Sequence, residues 1–308
     1  MKRFRWLLLV LVSIILWPPA LTAGEIERIQ AKGELVVSLN KGYPPFAMTV
    51  ENQVLGLDAD LARLLGEYLG VTVRFVWPEP YDQQIPRLLA GDTDIIMAAM
   101  TRTVERGLQV SFTDPYFEVS QAALVRRELI NPGANSYFDL LEIDGLRLGV
   151  KAGTTHAQFA RELFDEKAIR LYPTAEAATE GILAGEVDAM VADSPFIRQW
   201  RNTHVEHYLE ISALLAPVTR EFYAFAIRKG DPEFLSWLNL FVDQIKNDGT
   251  LDLLKYTYFE QMPLAADEAL SEERMSRARF LQNRFVANRK AMIEQRRQAF
   301  QGGGDSYE

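Results

Sequence analysis

Leu89-Ala90-Gly91-Asp92-Thr93-Asp94-Ile95-Ile96 and Leu183-Ala184-Gly185-Glu186-Val187-Asp188-Ala189-Met190 are two versions of one phrase. In each, a helix is expected to end at a glycine, an aspartate closes the turn that follows, and an apolar run begins. A glycine just past the last helical residue suits a left-handed cap. An unbroken apolar run suits a strand covered on both faces. Two copies of one helix-turn-strand unit predict two similar α/β lobes, and a cleft between two lobes is a natural seat for a small molecule.

The rest of the chain extends the pattern. Strands are expected at 34–39, 72–76 and 94–100, with helices at 56–69 and 83–90 between them; Leu57, Leu61, Leu64 and Leu65 recur at helical spacing. That alternation implies βαβ units and mainly parallel sheets. A strand at 121–125 leaves the first lobe. The pattern then restarts with strands at 146–150 and 189–192, helices at 156–164 and 175–184, and a further helix from Pro195. A strand at 222–227 and helices at 232–248 and 250–258 follow. The simplest path crosses to the second lobe near 119–124 and returns near 217–221, so that two crossing strands form a hinge. The expected divisions are 24–121 with 221–262 for lobe one and 122–220 for lobe two.

The N-terminus reads as a secretory signal at residues 1–23. Lys2, Arg3 and Arg5 precede an apolar run from Trp6 to Trp17; Pro18 and Pro19 break it, and Ala20-Leu21-Thr22-Ala23 offers a cleavage point. Leu21 is large for its place in such a site, and an uncleaved anchor is the alternative, although the run is shorter than the ~20 residues of a spanning helix. The expected location is the periplasm. The chain has 48% hydrophobic and 24% charged residues, which suits a folded soluble body, and no cysteine, which excludes disulfides and thiolate metal sites. Loss of the signal removes three positive charges, taking the formal charge from -9 to -12 and arguing against nucleic acid as a partner. Residues 263–308 differ from the body. Basic side chains from Arg274 to Arg297 face a single acid, Glu294, with Met275, Leu281, Phe285 and Ile293 on roughly one face, and a Gly302-Gly303-Gly304 tail follows. A basic amphipathic helix is expected there. It could be solvated against the acidic body, self-associate, or contact a partner or an anionic membrane surface.

Four segments follow strand ends, where α/β folds place ligands. In Thr101-Arg102-Thr103-Val104-Glu105-Arg106, Thr103 is a good N-cap. Thr101 and free amides could hold an anion while Arg106 forks onto a carboxylate; a capped helix with a surface arginine is the plain alternative. In Lys151-Ala152-Gly153-Thr154-Thr155, the same hydroxyls and amides could receive a carboxylate, or Thr155 and Gln158 could simply form a capping box. In Asp193-Ser194-Pro195, Ser194 is the expected N-cap, and Asp193 is left to bind a cation or to serve as a second cap. Tyr43, before a proline pair, and Tyr81, in Glu79-Pro80-Tyr81-Asp82, could cover a ligand or pad a core edge.

Taken in order, Tyr43-Pro44-Pro45-Phe46, Gly56-Leu57-Asp58-Ala59-Asp60-Leu61, Gly91-Asp92-Thr93-Asp94, Thr101 to Arg106, Phe112-Thr113-Asp114-Pro115-Tyr116, Gly153-Thr154-Thr155, Asp188 to Asp193 and Lys229-Gly230-Asp231-Pro232 resemble the extracellular solute-binding proteins of polar amino-acid ABC transporters. The resemblance spans about residues 33–262. It implies the type II periplasmic binding protein fold, capture of an amino acid by hinge closure, a membrane permease as partner, and no cofactor. It also implies that Arg106 pairs with the ligand's α-carboxylate, helped by Thr101, Thr154 and Thr155, that Asp193 binds the α-ammonium together with the backbone carbonyl at Ala98, and that Tyr43 and Tyr81 sandwich the side chain. Ala98 and Ala99 replace small polar residues common in the family. Asn40 stands where relatives selecting cationic side chains have a carboxylate, and Lys151 lies near it in the family's geometry. That pair argues against lysine, arginine or histidine as ligand and favours a polar or acidic side chain.

Two other functions compete. Periplasmic dehydratases of prephenate or arogenate look similar, and would need a cleft acid, for which Glu79 and Asp82 are the nearest candidates. Against catalysis stand the lack of a GxSxG nucleophile motif and of HExxH spacing among His156, His204 and His207. A sensing module that signals through a partner is the third reading.

Overall fold

Both aspartates of the repeated phrase tie a strand to its neighbour in the same way. Asp94 donates its amide to Val36 O at 2.8 Å and accepts the Val36 amide on Oδ2 at 2.8 Å. Asp188 donates to Arg147 O at 2.7 Å and accepts the Arg147 amide on Oδ2 at 2.9 Å. Each carboxylate also takes an arginine, Arg28 in one lobe and Arg147 in the other. The turn before each strand is therefore locked to the start of the adjacent parallel strand.

The computed structural model describes residues 24–261. The expected signal at 1–23 and basic helix and tail at 263–308 lie outside the described residues. The strands in chain order are β1 (Glu34–Ser38), β2 (Met48–Val50), β3 (Gln53–Leu55), β4 (Thr72–Val76), β5 (Ile95–Ile96), β6 (Ser111–Phe112), β7 (Phe117–Val119), β8 (Gln121–Arg126), β9 (Leu148–Lys151), β10 (Ile169–Tyr172), β11 (Ala189–Asp193), β12 (Ile211–Leu214), β13 (Glu221–Tyr223) and β14 (Ala226–Ile227).

One sheet runs β4-β1-β5-β14-β6 and the other β10-β9-β11-β8-β12. In the first, β4, β1 and β5 are parallel and β14 is antiparallel to both of its neighbours. In the second, β10, β9 and β11 are parallel, while β8 is antiparallel to β11 and to β12. The sheets are thus mixed, which corrects the expectation of mainly parallel ones: the chain entering and leaving each lobe through the hinge must run against the βαβ strands. The hinge is the antiparallel pair β7 and β13, with Glu221 opposite Val119 and Tyr223 opposite Phe117.

Burial follows the apolar pattern. Every residue of β11 is buried, as suits a central strand with helices on both faces. Helix Leu57–Leu69 buries Leu57, Leu61, Leu64 and Leu65 and ends at Gly70 in the left-handed region (φ 72°). The expected strand at 94–100 is far shorter, because only Ile95 and Ile96 pair before the chain turns through Ala99, a non-glycine at φ 47°. The expected strand at 222–227 is divided between the hinge and the first sheet. Among the described residues no helix is long and apolar enough to cross a membrane.

Asp58, in the first turn of that helix, holds the Ala99 turn in place. It is fully buried, accepts the Ala99 amide at 2.7 Å and the Tyr116 hydroxyl at 2.6 Å. Burial pushes its carboxyl up to about 7 in spite of both donors. A folded-state pKa raised above the unfolded value means that the native state holds the proton more tightly between about pH 4 and about pH 7. The stability tied to this group therefore falls as pH rises through that window, by at most about 1.4 kcal/mol per unit. Asp58→Asn keeps an acceptor for Ala99 and does not titrate. Urea denaturation at about pH 5 and about pH 7.5 should show the variant losing less stability than the parent across this interval; equal losses would contradict the assignment.

Candidate functional site

The C-terminal ends of β1, β5, β9 and β11 meet at one cleft between the sheets. Tyr43 follows β1 in a turn closed by hydrogen bonds from the Phe46 and Ala47 amides to Tyr43 O, both 3.0 Å. Tyr81 begins a single helical turn, Tyr81–Gln83. Thr101 follows β5 and bridges to Tyr223 of the hinge. Arg106 lies on the short helix Val104–Gly107, whose N-cap Thr103 accepts the Arg106 amide at 3.2 Å. Lys151 ends β9, Thr154 and Thr155 open helix Thr155–Leu163, and Asp193 ends β11. Tyr43, Tyr81, Thr101, Arg106, Lys151, Thr154, Thr155 and Asp193 all line this cleft.

Ala98 does not. Its carbonyl accepts the Tyr81 hydroxyl at 3.3 Å, and of the pair it is Ala99 that lines the cleft. Two caps also shift by one residue from expectation. Thr154 caps its helix by accepting the Ala157 amide at 3.3 Å, which releases the Thr155 hydroxyl to donate to Glu221 Oε2 at 3.3 Å. Asp193, rather than Ser194, occupies the N-cap position of helix Ser194–Thr203, yet its side chain makes no capping bond. Its carboxylate is turned into the cleft instead.

Asp193 is the electrostatic centre of the site. It is 3% exposed. Oδ2 accepts the hydroxyls of Tyr43, at 2.6 Å, and of Tyr223. Oδ1 lies 3.2 Å from His156 Nε2, an ion-pair distance although off the line of a well-formed hydrogen bond. Burial raises the carboxyl pKa, but the charge of His156 and the donors His156, Tyr223 and Tyr43 outweigh it, and the net shift is downward. For His156 burial acts to lower the pKa, and Asp193 reverses it, leaving the imidazole above its usual value. Tyr223 and His156 went unread in the sequence. His156 stands next to Thr155 in the quoted segment, which is the signal that could have found it; Tyr223 carries none, since only the closing of the hinge brings it there.

Arg106 spans the cleft. Nη1 donates to Thr101 O at 2.8 Å in its own lobe, and Nη2 to Gly153 O at 3.3 Å in the other. Gly153 is in the left-handed region (φ 74°), and a Cβ there would stand 2.8 Å from the Asp82 amide nitrogen. The lobes are thus in contact across this glycine. Tyr43 also crosses, its ring stacked on Phe196 with centroids 5.3 Å apart and planes 8° from parallel.

Lys151 fills the space between the two tyrosines. Its ammonium lies 4.8 Å from the Tyr81 ring centre and 5.6 Å from that of Tyr43, and donates to Asn40 Oδ1. What remains free in the cleft is about 20 Å³, little more than a water molecule occupies. A larger cavity of about 450 Å³ adjoins it behind Thr101 and Thr155. That one is lined by Arg102, Glu105, Glu162 and Arg220 of mixed sign and exposed to solvent, without the convergence of buried polar groups that marks the smaller cleft. Among the described residues no cluster of His, Asp and Glu is placed to hold a metal ion.

The comparisons identify the family. The profile of the bacterial extracellular solute-binding proteins, family 3, matches residues 35–261. The ABC transporter arginine-binding protein 1 of Escherichia coli K12 is 27% identical, over 79% of this chain and 97% of its own. A binding component of an ABC transporter from Wolinella succinogenes, solved in complex with lysine, is 37% identical at a TM-score of 0.69, covering 74% of this chain and 97% of its own. The ancestral amino acid-binding protein AncCDT-1, described as a precursor of cyclohexadienyl dehydratase, is 37% identical at a TM-score of 0.67, covering 77% of this chain and all of its own. With its two mixed sheets, its two-strand hinge and a family match that runs from the first strand to the last described residue, the chain belongs to the bacterial extracellular solute-binding proteins of family 3.

Proposed function

We propose that the chain captures an amino acid or similar small zwitterion in the periplasm, by closing lobe one (24–121 and 221–262) on lobe two (122–220), and presents it to the membrane permease of an ABC transporter. The observation that carries this is the opposition of Arg106 and Asp193. A guanidinium from one lobe and a carboxylate from the other stand on the same cleft, with the Thr101, Thr154 and Thr155 hydroxyls beside them. Such a pair grips both ends of a zwitterion only when the lobes are shut, so the ligand stabilises the closed form selectively. Charge-assisted hydrogen bonds are roughly twice as strong as neutral ones, and exclusion of water strengthens them further.

Asp193 has room for the ammonium. An ionised carboxylate offers about four lone-pair sites; Tyr43 and Tyr223 engage two of them, both on Oδ2, and Oδ1, 3.2 Å from His156 Nε2, accepts no hydrogen bond among the described residues. The dehydratase reading finds less support. Glu79 is ion-paired with Lys41 at 2.6 Å and its side chain is 44% exposed. Asp82 is exposed as well. Neither lines the cleft, and the relatives named above from Escherichia coli and Wolinella succinogenes are binding proteins.

Arg106→Ala should abolish amino-acid binding in calorimetry, at a cost of at least about 100-fold in affinity, while circular dichroism stays that of the parent; near-unchanged affinity would refute its assigned role. Gly153→Ala puts a methyl group against the Asp82 backbone in a conformation that disfavours it. Small-angle scattering with ligand should then show the open form persisting, and affinity should drop by about tenfold or more. Asp193→Asn removes the partner that raises His156. The stability contributed by a raised histidine is fully present below its unfolded pKa and is lost as pH rises through the folded one. In the variant only the weaker influence of Glu221 still opposes burial at His156, so its NMR titration midpoint should move downward; an unmoved midpoint would dissolve the pairing.

A further inference from the structure

The cleft holds more positive than negative charge. Arg106, Lys151 and His156 line it against the single carboxylate of Asp193. The three cations are not equally provided for. His156 has Asp193 beside it, and Arg106 reaches backbone carbonyls of both lobes. Lys151 is 5% exposed and has no carboxylate within ion-pair distance among the described residues. Its close polar partner is the neutral Asn40 amide oxygen. Two acids act on it from farther away, Glu176 and then Glu79, and burial nevertheless pulls its pKa down to about 8. Glu79 is already engaged with Lys41 at 2.6 Å. Burial pushes the Glu176 carboxyl up to about 7, so it supplies only part of a charge at neutral pH. A buried cation left so poorly matched is costly.

Its position decides what could match it. The ammonium lies over the faces of Tyr43 and Tyr81, where a ligand held by Arg106 and Asp193 would extend its side chain. A second ammonium or guanidinium placed there would meet a like charge in a slot nearly free of water, the repulsive element by which a site rejects a wrong partner. A neutral amide would at best replace Asn40. A carboxylate would complete an ion pair. Since only about 20 Å³ is free in the closed form, the lysine must swing off the rings as the ligand enters, which its flexible stem permits.

We propose that Lys151 sets the specificity of this cleft, and that the ligand is a dicarboxylic amino acid whose second carboxylate pairs with the Lys151 ammonium. This rests on the amino-acid reading above and departs from the arginine and lysine attached to the relatives. The test is isothermal titration of the purified chain with L-glutamate, L-aspartate, L-glutamine, L-arginine and succinate, repeated on Lys151→Met, which keeps the stem and removes the charge. The parent should bind glutamate or aspartate at least about 100-fold more tightly than glutamine or arginine. Lys151→Met should erase that preference by weakening the acids while leaving glutamine within a few-fold. Lys151→Arg, which retains the charge, should retain the preference; should Lys151→Met not fold, Lys151→Gln, likewise uncharged, takes its place. Tighter binding of arginine than of either acid overturns the inference alone, as does an acid-to-glutamine ratio that neither variant changes relative to the other. Succinate binding as tightly as aspartate supports the charge match at Lys151 while refuting the ammonium role of Asp193. Failure of all four amino acids and of succinate to bind overturns both readings.

Discussion

A carboxylate withdrawn from water costs on the order of several kcal/mol unless partners replace its hydration, and Asp193 is withdrawn almost completely. Its partners come from three places. His156 belongs to its own lobe, Tyr223 to the hinge, and Tyr43 to the opposite lobe. Only with the lobes closed does it have all three. The carboxylate that would receive a ligand's ammonium is therefore also a contact that holds the two halves together, and ligand capture and domain closure share one group. Opening would return Asp193 to water and part it from Tyr43 and from Tyr223, which packs on Phe46 and bridges Thr101 of lobe one, while His156 stays beside it.

What delivers these groups to one place is the duplicated aspartate turn. Asp94 and Asp188 each fasten the start of a short central strand to a parallel neighbour by a reciprocal pair of backbone and carboxylate hydrogen bonds. With the strand starts fixed, the far ends of β5 and β11 are fixed too; the first leads through the Ala99 turn to Thr101 and the second ends at Asp193. This architecture was legible because it depends on local chemistry: glycine beyond a helix, an acid at a turn, apolar residues in a buried strand. The expected helices at 56–69, 83–90, 156–164, 175–184 and 232–248 came out within a residue or two for the same reason, whereas helix Glu25–Lys32 was not expected. The shortness of β5 did not, because the apolar run through Met100 is continued by a turn whose shape is imposed by Asp58, some forty residues earlier.

The site was legible to the extent that its groups follow strand ends in order. Arg106, Thr154, Thr155 and Tyr43 could each be placed from their own segment. Tyr223 could not, because its part in the site exists only when the returning hinge strand brings it against β11, a relation that no local pattern encodes. The choice between Thr154 and Thr155 as the cap also lay beyond the sequence. Both are competent caps, and the tertiary bond of Thr155 to Glu221 goes with the assignment of Thr154 to the helix. Ala98 and Ala99 illustrate the same limit at single-residue scale: the positive φ of Ala99 turns one alanine toward the cleft and the other away.

The proposal for Lys151 turns on a single side chain set in a scaffold shared with the relatives. In the proposed mode of capture, the backbone of β9, the paired tyrosines and the opposed Arg106 and Asp193 form a frame indifferent to the side chain of the ligand, since both zwitterionic contacts would be made at the α-carbon. Discrimination is left to the slot between the rings. An aromatic slot attracts cations by its quadrupole, and in this chain the cation it holds is the protein's own. A ligand cation would have to displace that ammonium from the rings and then remain near it with only the partly charged Glu176 and the already engaged Glu79 acting from farther away, because Asn40 contributes only a dipole. A ligand carboxylate meets no such conflict: it supplies the charge that burial leaves Lys151 without, and the tyrosine faces remain available to its methylene groups.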